Sequence, residues 1–268
     1  MDTTKIVQNH YDSNVEVEWA RIANRPEFLL TCRFLDRYVR PGERVLDIGG
    51  GPGRYSLYLA QKGCEVTLLD LSPENVKFAR REARRQKLAL RAVAADARAA
   101  DAVISEQFDH VLLMGPLYHL QAEVDRIQAV RAALRCLKPG GLLFASFINM
   151  FAGIIYALKD NPQAVLDPFE QAFYQLFIEN KSFAGKAFTE AYFAAQHEIL
   201  PFMAQFPLEK LHFFTQEGIL APNEKSILAQ PQEVIDAFLD LSEKICERED
   251  LFSWGEHLMY IGKKEGTL

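Results

Sequence analysis

Short apolar runs alternate with longer amphipathic stretches through the middle of the chain. From Arg44 onward, short runs rich in Val, Leu and Ile alternate with stretches in which apolar residues recur every three or four positions. The first pattern is typical of buried strands and the second of helices packed on a sheet. Strands are predicted at 45–48, 65–71, 90–95, 108–114 and 142–148, with helices at 54–62, 73–87 and 122–137.

Helices between successive strands require crossover connections, which place the strands parallel in one sheet with helices on both faces. The alternation resumes with a helix at 196–206, a strand at 209–215, a helix at 231–249 and a final strand at 257–263. The sequence therefore predicts an α/β fold: a Rossmann-like, seven-stranded, mostly parallel sheet with helices on both faces and a helical lid insertion.

Two segments stand outside this alternation. Residues 1–43 are predicted to form an N-terminal helical cap, whose helix at 27–39 ends at Arg40-Pro41-Gly42. Residues 151–195 are rich in aromatic residues and are predicted to form two or three short helices, without strands. They interrupt a domain made of 44–150 and 196–268, above the edge of the sheet where open α/β folds bind ligands. A substrate lid and a packed layer or dimer surface are both compatible with this composition.

Overall composition narrows the class of partner. The chain has 268 residues, of which 49% are hydrophobic and 25% charged, and its formal net charge is −6. A mildly acidic chain has no bulk attraction for nucleic acid or anionic lipid, so we expect neither, but rather a small-molecule substrate and a monomer or homodimer. The four cysteines are far apart, without zinc-like spacing. No metal site is therefore predicted, and the reducing cytoplasm is the expected location.

A glycine-rich turn, VLDIGGGPG at residues 45–53, joins the first predicted strand to the next helix. Glycines let the chain turn sharply and let a ligand approach the backbone, and the helix N-terminus presents free N–H groups. Taken alone this turn is a weak signal, because a tight strand–helix connection can have the same composition.

Acidic residues end the next two predicted strands. Asp70 ends the second strand and can accept both hydroxyls of a ribose, a feature that dinucleotide dehydrogenases share. Asp96 ends the third strand and can accept the exocyclic amine of an adenine, while the Ala97 amide donates to a ring nitrogen. Asp96 can equally cap the helix that follows. Together with the glycine turn, these residues indicate a nucleoside site.

Five stretches in register resemble the class I S-adenosylmethionine-dependent methyltransferases. They are VLDIGGGPGRYSLYLAQKG at 45–63, VTLLDLSPENV at 66–76, AADA at 94–97, FDHVLLMGPLYHL at 108–120 and LRCLKPGGLLF at 134–144. The motif GPLYHL at 115–120 resembles a subgroup that acts on small molecules. Pro52 and Arg54 depart from the usual family residues, and 151–195 has no general counterpart, so the resemblance says little about the substrate.

The resemblance implies S-adenosyl-L-methionine as cofactor, bound at the ends of four strands. The residues expected around its methionine part are Asp47, Gly49, Gly51, Gly53, Met114 and Gly115. The residues expected at its ribose and adenine are Asp70, Leu71, Asp96 and Ala97. In resembling enzymes an N-terminal aromatic residue folds over the cofactor, and Tyr11 is expected in that place.

Methyl transfer from a sulfonium is a displacement at carbon, so the protein must align a nucleophile and exclude water. A hydroxyl or ammonium acceptor also loses a proton, which a base can take. His119 is the candidate base, because an unperturbed pKa of about 6.5 suits proton removal near neutral pH. Tyr118 beside it is expected to shape the pocket. His119 can alternatively cap the next helix or pack inside the protein.

Two other functions are left open by the residues. An NAD-dependent oxidoreductase would explain the glycine turn and Asp70, but not Asp96-Ala97 or the PGG turn at 139–141. Tyr118 is also followed four residues on by Ala122, where a short-chain dehydrogenase would have lysine. A non-catalytic S-adenosylmethionine-binding protein would keep the same pocket without the chemistry.

Overall fold

The computed structural model describes residues 3–266, so residues 1–2 of the predicted cap and residues 267–268 of the last predicted segment lie outside the described part. No helix within this part is long and apolar enough to cross a membrane. Its strands are β1 (Arg44–Ile48), β2 (Glu65–Asp70), β3 (Arg91–Ala94), β4 (Phe108–Leu113), β5 (Leu137–Asn149), β6 (Phe183–Lys186), β7 (Glu190–Ala194), β8 (Leu208–Thr215) and β9 (His257–Lys264).

Helices precede the sheet, connect its strands and cover both faces. They are α1 (Thr3–Ser13), α2 (Val15–Arg21), α3 (Pro26–Tyr38), α4 (Arg54–Gln61), α5 (Pro73–Arg85), α6 (Ala100–Val103), α7 (Glu123–Cys136), α8 (Phe151–Asp160), α9 (Gln171–Ile178), α10 (Gln196–Met203), α11 (Glu224–Leu228) and α12 (Gln232–Ile245). Short 3₁₀ turns lie at Ala97–Ala99, Pro116–Tyr118, Pro162–Leu166, Ala221–Asn223 and Glu249–Trp254. Ser72 caps the N-terminus of α5, since its hydroxyl accepts from the Asn75 amide at 3.0 Å.

The sheet confirms the predicted Rossmann-like arrangement. Strands β3, β2, β1, β4 and β5 lie side by side and run parallel, and β9 pairs antiparallel between β5 and β8. Because parallel strands end at the same edge, the residues that follow β1, β2, β3 and β4 meet there. The stacked rings of Phe34 and Phe214, 3.8 Å apart, help to pack α3 against the sheet beside β8.

The insertion differs from its prediction, because it contains strands as well as helices. After α8 and α9 it forms the hairpin β6–β7, which brings the described sheet to nine strands. Strand β5 extends past the end of β4, and β7 pairs with this free edge at 148–149. The hairpin could not be recognised from the sequence, since strands of four and five residues are too short to show a twofold alternation.

Candidate functional site

The glycine turn leaves β1 and runs directly into α4. Gly49 has φ +75°, and a Cβ at this position would lie 2.4 Å from Pro116 Cδ, so only glycine fits. Gly51 has φ +56°, and a Cβ there would meet no heavy atom within 4 Å. A Cβ on Gly53 would instead lie 3.1 Å from Ala79 Cβ on α5. The turn is therefore packed against the protein at Gly49 and Gly53 and open at Gly51.

Asp70 ends β2 and connects the glycine turn to α5. Its carboxylate accepts from the Gly51 amide at 2.8 Å, the Ser72 amide at 2.9 Å and the Asn75 side chain at 3.1 Å. Burial raises the pKa of Asp70, and these hydrogen bonds oppose that shift. A carboxylate can accept more than three hydrogen bonds, so Asp70 can still accept from the hydroxyls of a ribose.

Asp96 caps the 3₁₀ turn after β3, as its alternative interpretation proposed. It accepts from the Arg98 amide at 2.8 Å and from the Arg98 Nε at 3.0 Å. Burial alone would raise the pKa of Asp96, but the hydrogen bonds from Arg98 hold it below its usual value. Arg98 also pairs with Asp125 at 3.0 Å, so this side of the site contains a cation that the sequence did not indicate.

Asp47 lies inside the protein below the glycine turn. The Ser56 hydroxyl donates to its carboxylate at 2.7 Å, and the side chain is buried. Burial, with a smaller contribution from the Asp70 charge, raises the pKa of Asp47 to about 7. A carboxyl with this pKa exchanges its proton near neutral pH, so a nearby ammonium group would stabilise its ionised form.

The segment after β4 closes over the glycine turn. A Cβ on Gly115 would lie 2.8 Å from the Gly49 carbonyl oxygen, which explains the glycine there. The Tyr118 hydroxyl donates to the Met114 carbonyl at 2.9 Å. Burial raises the pKa of Tyr118 above its usual range, so the phenol stays protonated. The carbonyl expected to meet the cofactor's ammonium group therefore already has one donor, and a carbonyl oxygen can accept a second.

His119 is held between α1 and the inserted hairpin. Its Nδ1 lies 3.1 Å from the Glu190 carbonyl oxygen, which only accepts, so we assign the proton to Nδ1. Its Nε2 then accepts from the Tyr11 hydroxyl at 2.7 Å. Burial lowers the pKa of His119 to about 4, so the ring is neutral at physiological pH. The Phe188 ring also lies against His119, 5.8 Å away between centroids.

A cavity of about 290 Å³ lies where these segments meet. All the sequence-predicted site residues except Gly53 line it. Gly53 packs against α5 instead, and its place in the turn is explained by a φ of +94° and by that contact. The N-terminal cap forms the opposite wall, so the described structure brings α1 and α2 to the same cavity as the strand ends.

The charged groups on that opposite wall were not identified from the sequence. Glu18, Arg21 and Glu27 line the cavity, and the Arg21 Nε donates to Glu18 at 2.8 Å. The spacing of Glu18 and Arg21 is that of an ordinary surface ion pair on a helix, so no local signal distinguishes them. Arg54, which departs from the family pattern, donates to the Trp19 carbonyl at 2.8 Å and lies over its ring. It thereby holds α2 beside the glycine turn.

Part of this site lies in a stretch of the chain that matches a known domain family. Residues 45–141 match the family model described as a methyltransferase domain. A ubiquinone biosynthesis O-methyltransferase of Xanthomonas campestris is 39% identical over 116 residues, which are 42% of this chain and 46% of that protein. The chain thus matches about half the length of such curated relatives, and the family model stops short of the cap and the insertion.

Solved structures share the fold along most of the chain. A 1,6-didemethyltoxoflavin-N1-methyltransferase of Burkholderia thailandensis, solved with bound 1,6-didemethyltoxoflavin and S-adenosylhomocysteine, has a TM-score of 0.60 at 16% identity. The alignment covers 98% of this chain and 88% of that one. The [4+2]-cyclase SpnF has a TM-score of 0.53 at 18% identity, covering 89% of this chain and 80% of its own. At these identities the likeness establishes the fold alone.

Proposed function

We propose that this chain, whose residues 45–141 form a methyltransferase domain, transfers the methyl group of S-adenosyl-L-methionine to a small-molecule acceptor. The observation that carries the proposal is one cavity lined by the glycine turn, Asp70 and Asp96. Two carboxylates at neighbouring strand ends suit the ribose and the adenine of one nucleoside, and the open backbone at Gly51 leaves room beside them.

Each residue predicted to bind the cofactor has a place in this proposal. The ribose is assigned to Asp70, and the adenine to Asp96 and the Ala97 amide with Leu71 alongside. Residues assigned to the methionine part are Asp47, Gly49, Gly51, Met114 and Gly115, with Gly53 shaping the turn from behind and Tyr11 covering the site. The cofactor supplies the electrophilic methyl group, and these residues fix its orientation and exclude water.

We assign to His119 the removal of the proton that the methyl acceptor loses during transfer. In the described structure the Nε2 of His119 accepts from Tyr11 at 2.7 Å, so an acceptor hydroxyl or amine that replaces the Tyr11 hydroxyl reaches the same lone pair. A histidine with a pKa of about 4 stays unprotonated across the neutral range. It is therefore ready to accept a proton, although it is a weaker base than free imidazole. Tyr118 shapes the pocket while bound to the Met114 carbonyl.

Substitution of His119 tests this assignment. Asparagine can keep the hydrogen bond to the Glu190 carbonyl but lacks the Nε2 acceptor, so His119→Asn is expected to lower kcat about 100-fold, the scale of a lost general base. Tyr11→Phe frees the lone pair and is expected to lower kcat less than about 10-fold. Turnover would be followed by transfer of labelled methyl groups to a panel of hydroxy, amino and thiol compounds. Equal, small losses in both variants would leave His119 only a structural role.

Cofactor binding is tested at Asp70. Asp70→Asn keeps the size of the side chain but removes the charge offered to the ribose, so affinity for S-adenosylhomocysteine is expected to fall by about 1–3 kcal/mol. Titration calorimetry measures this directly, and thermal unfolding verifies that the variant is folded. Asp240→Asn, in an exposed ion pair on α12, is the matched control and is expected to bind normally. Unchanged affinity in Asp70→Asn would remove Asp70 from the site.

The same calorimetry separates the rival functions. Binding of NAD without S-adenosylhomocysteine would favour an oxidoreductase. Binding of S-adenosylhomocysteine without methyl transfer to any acceptor would favour a non-catalytic protein, or a different reaction on the same fold, as the name of the [4+2]-cyclase indicates for that neighbour. We favour methyl transfer because the matched sequence relatives are named as methyltransferases.

Partners and location complete the proposal. The enzyme is proposed to act on a small molecule as a monomer or homodimer, without nucleic acid. A cytoplasmic location is supported by the four free, buried thiols Cys32, Cys64, Cys136 and Cys246, which fit a reducing compartment.

A further inference from the structure

One side of the cavity carries polar groups that the proposed cofactor contacts do not use. Glu27 lies in the first turn of α3 and Tyr55 in the first turn of α4, and both line the cavity. The Phe28 and Tyr55 rings lie 5.0 Å apart, so the starts of these two helices are in direct contact. Neither residue is among those expected to bind the cofactor, and both are 7% exposed.

Glu27 is a buried carboxylate that shares its cations with other carboxylates. Its nearest cation within residues 3–266 is the Arg21 Nη1, 3.6 Å from Oε2, which is longer than a hydrogen bond. Arg21 instead bonds Glu18 at 2.8 Å. Burial alone would raise the pKa of Glu27, but His257, Arg21 and Arg25 lower it. Glu27 is therefore ionised at neutral pH, and the N-terminus of α3 adds to that preference.

The surrounding network contains more carboxylates than cations. The carboxylates that it connects are Glu18, Glu27, Glu217, Glu224 and Glu256. The cations that it connects are Arg21, Arg25, Lys159 and His257. Every other carboxylate has a cation within 2.8 Å. Glu18 and Glu27 therefore share Arg21, and the excess negative charge lies at the cavity wall that these two carboxylates line.

Tyr55 provides an independent indication of a ligand. Its hydroxyl is buried beside the Thr31 side chain, yet no group in the described part of the chain meets it with hydrogen-bond geometry. A buried hydroxyl without a partner is destabilising, and a ligand bound in the cavity can supply the missing partner. Phenol oxygen and carboxylate together form an acceptor pair suited to an N–H-bearing cation.

We propose that Glu27 and Tyr55 form the subsite that binds a protonated amine of the methyl acceptor. The proposal rests on the proposed function and names its substrate class: small molecules with a basic nitrogen, whether or not that nitrogen is methylated. The ammonium group adds a cation beside Glu27, which offsets the excess negative charge of this wall, and gives the Tyr55 hydroxyl a donor. Arg21 does not favour an anionic acceptor, because its charge is already balanced by Glu18 and Glu27.

A divalent metal is a poorer occupant of the same place. Glu27, Glu217 and His257 each place a possible ligand atom within 4.8 Å of the others. However, the Glu217 carboxylate already accepts from His257 Nδ1 at 2.6 Å and from the Glu256 and His257 amides at 3.0 Å. A metal would have to displace those donors, whereas an ammonium group at Glu27 leaves them intact.

The test uses the full chain saturated with S-adenosylhomocysteine and three matched probes: tyramine, 4-ethylphenol and 3-(4-hydroxyphenyl)propionate. Binding is measured by calorimetry and ligand-detected NMR, so no turnover is needed. Tyramine is expected to bind about 10- to 100-fold more tightly than either of the others, the range of a charged hydrogen bond. Glu27→Gln is expected to abolish this preference. Glu16→Gln, exposed on α2, is the matched control and is expected to keep it.

Tyr55→Phe gives a second readout that a purely structural role would not produce. Removing an unpartnered hydroxyl is expected to leave Tm unchanged or higher, while tyramine binding weakens by about threefold or more. No tyramine binding up to about 10 mM, the range for fragments of this size, would overturn the proposal. The proposal would also be overturned if the anionic probe bound as tightly as tyramine, or if the preference for tyramine survived in Glu27→Gln. Stoichiometric Zn²⁺ binding that excludes tyramine would overturn it too. If the unmodified protein does not bind S-adenosylhomocysteine, the proposed function is overturned as well. If it binds S-adenosylhomocysteine but does not prefer the cationic probe, only this inference is overturned.

Discussion

Replacing Gly49 with alanine is expected to destabilise the protein by about 2–5 kcal/mol, because two separate penalties act at this residue. At φ +75° an alanine is strained by about 1–2 kcal/mol. Its Cβ would also lie 2.4 Å from Pro116 Cδ and 2.8 Å from Pro116 Cγ, and a proline ring cannot turn aside. The overpacking adds about 1–3 kcal/mol. Urea denaturation of both proteins measures the difference.

Gly51→Ala is the matched control, since it has the strain without the clash. At φ +56° with no heavy atom within 4 Å, it is expected to cost only about 1–2 kcal/mol of stability. Its methyl group would project into the open space proposed for the cofactor, so S-adenosylhomocysteine affinity is expected to fall while the protein stays folded. If Gly49→Ala were no more damaging than Gly51→Ala, the contact between the glycine turn and Pro116 would not constrain the fold.

The unfolding free energy is expected to decrease between about pH 6.5 and 9 through the titration of His257. Burial alone would lower the pKa of this residue, but Glu27 and Glu217 raise it to about 9 in the folded protein. The folded state therefore holds the proton more tightly than the unfolded chain, where the pKa is about 6.5. The stabilisation is complete below about pH 6.5 and disappears as the pH rises through 9, a difference of about 3 kcal/mol.

His257→Asn separates the charge of His257 from its hydrogen bond. Asparagine can place an N–H near the position of Nδ1 and so keep a donor to Glu217, but it cannot carry the proton. We expect the variant to be less stable by about 3–5 kcal/mol below pH 6.5, as for a buried carboxylate that loses its cation. Its stability should also change much less between pH 6.5 and 9. His197→Asn, on the exposed part of α10, should keep the parent's pH dependence. A variant that retains the parent slope would show that another group carries it.

The sheet and the cofactor side of the cavity could be predicted because their signals are local. Apolar runs ending in Asp70 and Asp96 place those side chains at one edge once the strands are known to be parallel. The run of glycines at 49–53 likewise indicates by itself that the backbone turns sharply there. Leu142 begins the predicted fifth strand, whereas the observed strand begins at Leu137, since the Pro139-Gly140-Gly141 turn continues the pairing with an irregularity.

The other wall could not be predicted, because its groups meet only through tertiary contacts. Glu27 and Glu217 are far apart in the chain, yet both face His257. Nothing near any of these residues in sequence indicates that they are buried together. His119 was proposed as the base from its position after β4, but its low pKa and its bond to Tyr11 depend on α1 and the inserted hairpin. Such long-range packing leaves no periodic pattern in a single sequence.

The two walls also differ in how they can change during evolution. Glu18, Arg21 and Glu27 belong to a segment that contributes no strand and enters the sheet through the turn at 40–43. Substitutions there leave the strand register, and with it Asp70 and Asp96, untouched. Point mutations at Glu18, Arg21 and Glu27 can therefore alter which molecules are accepted while the contacts of Asp70 and Asp96 are inherited unchanged, so proteins with this frame can diversify without rebuilding it.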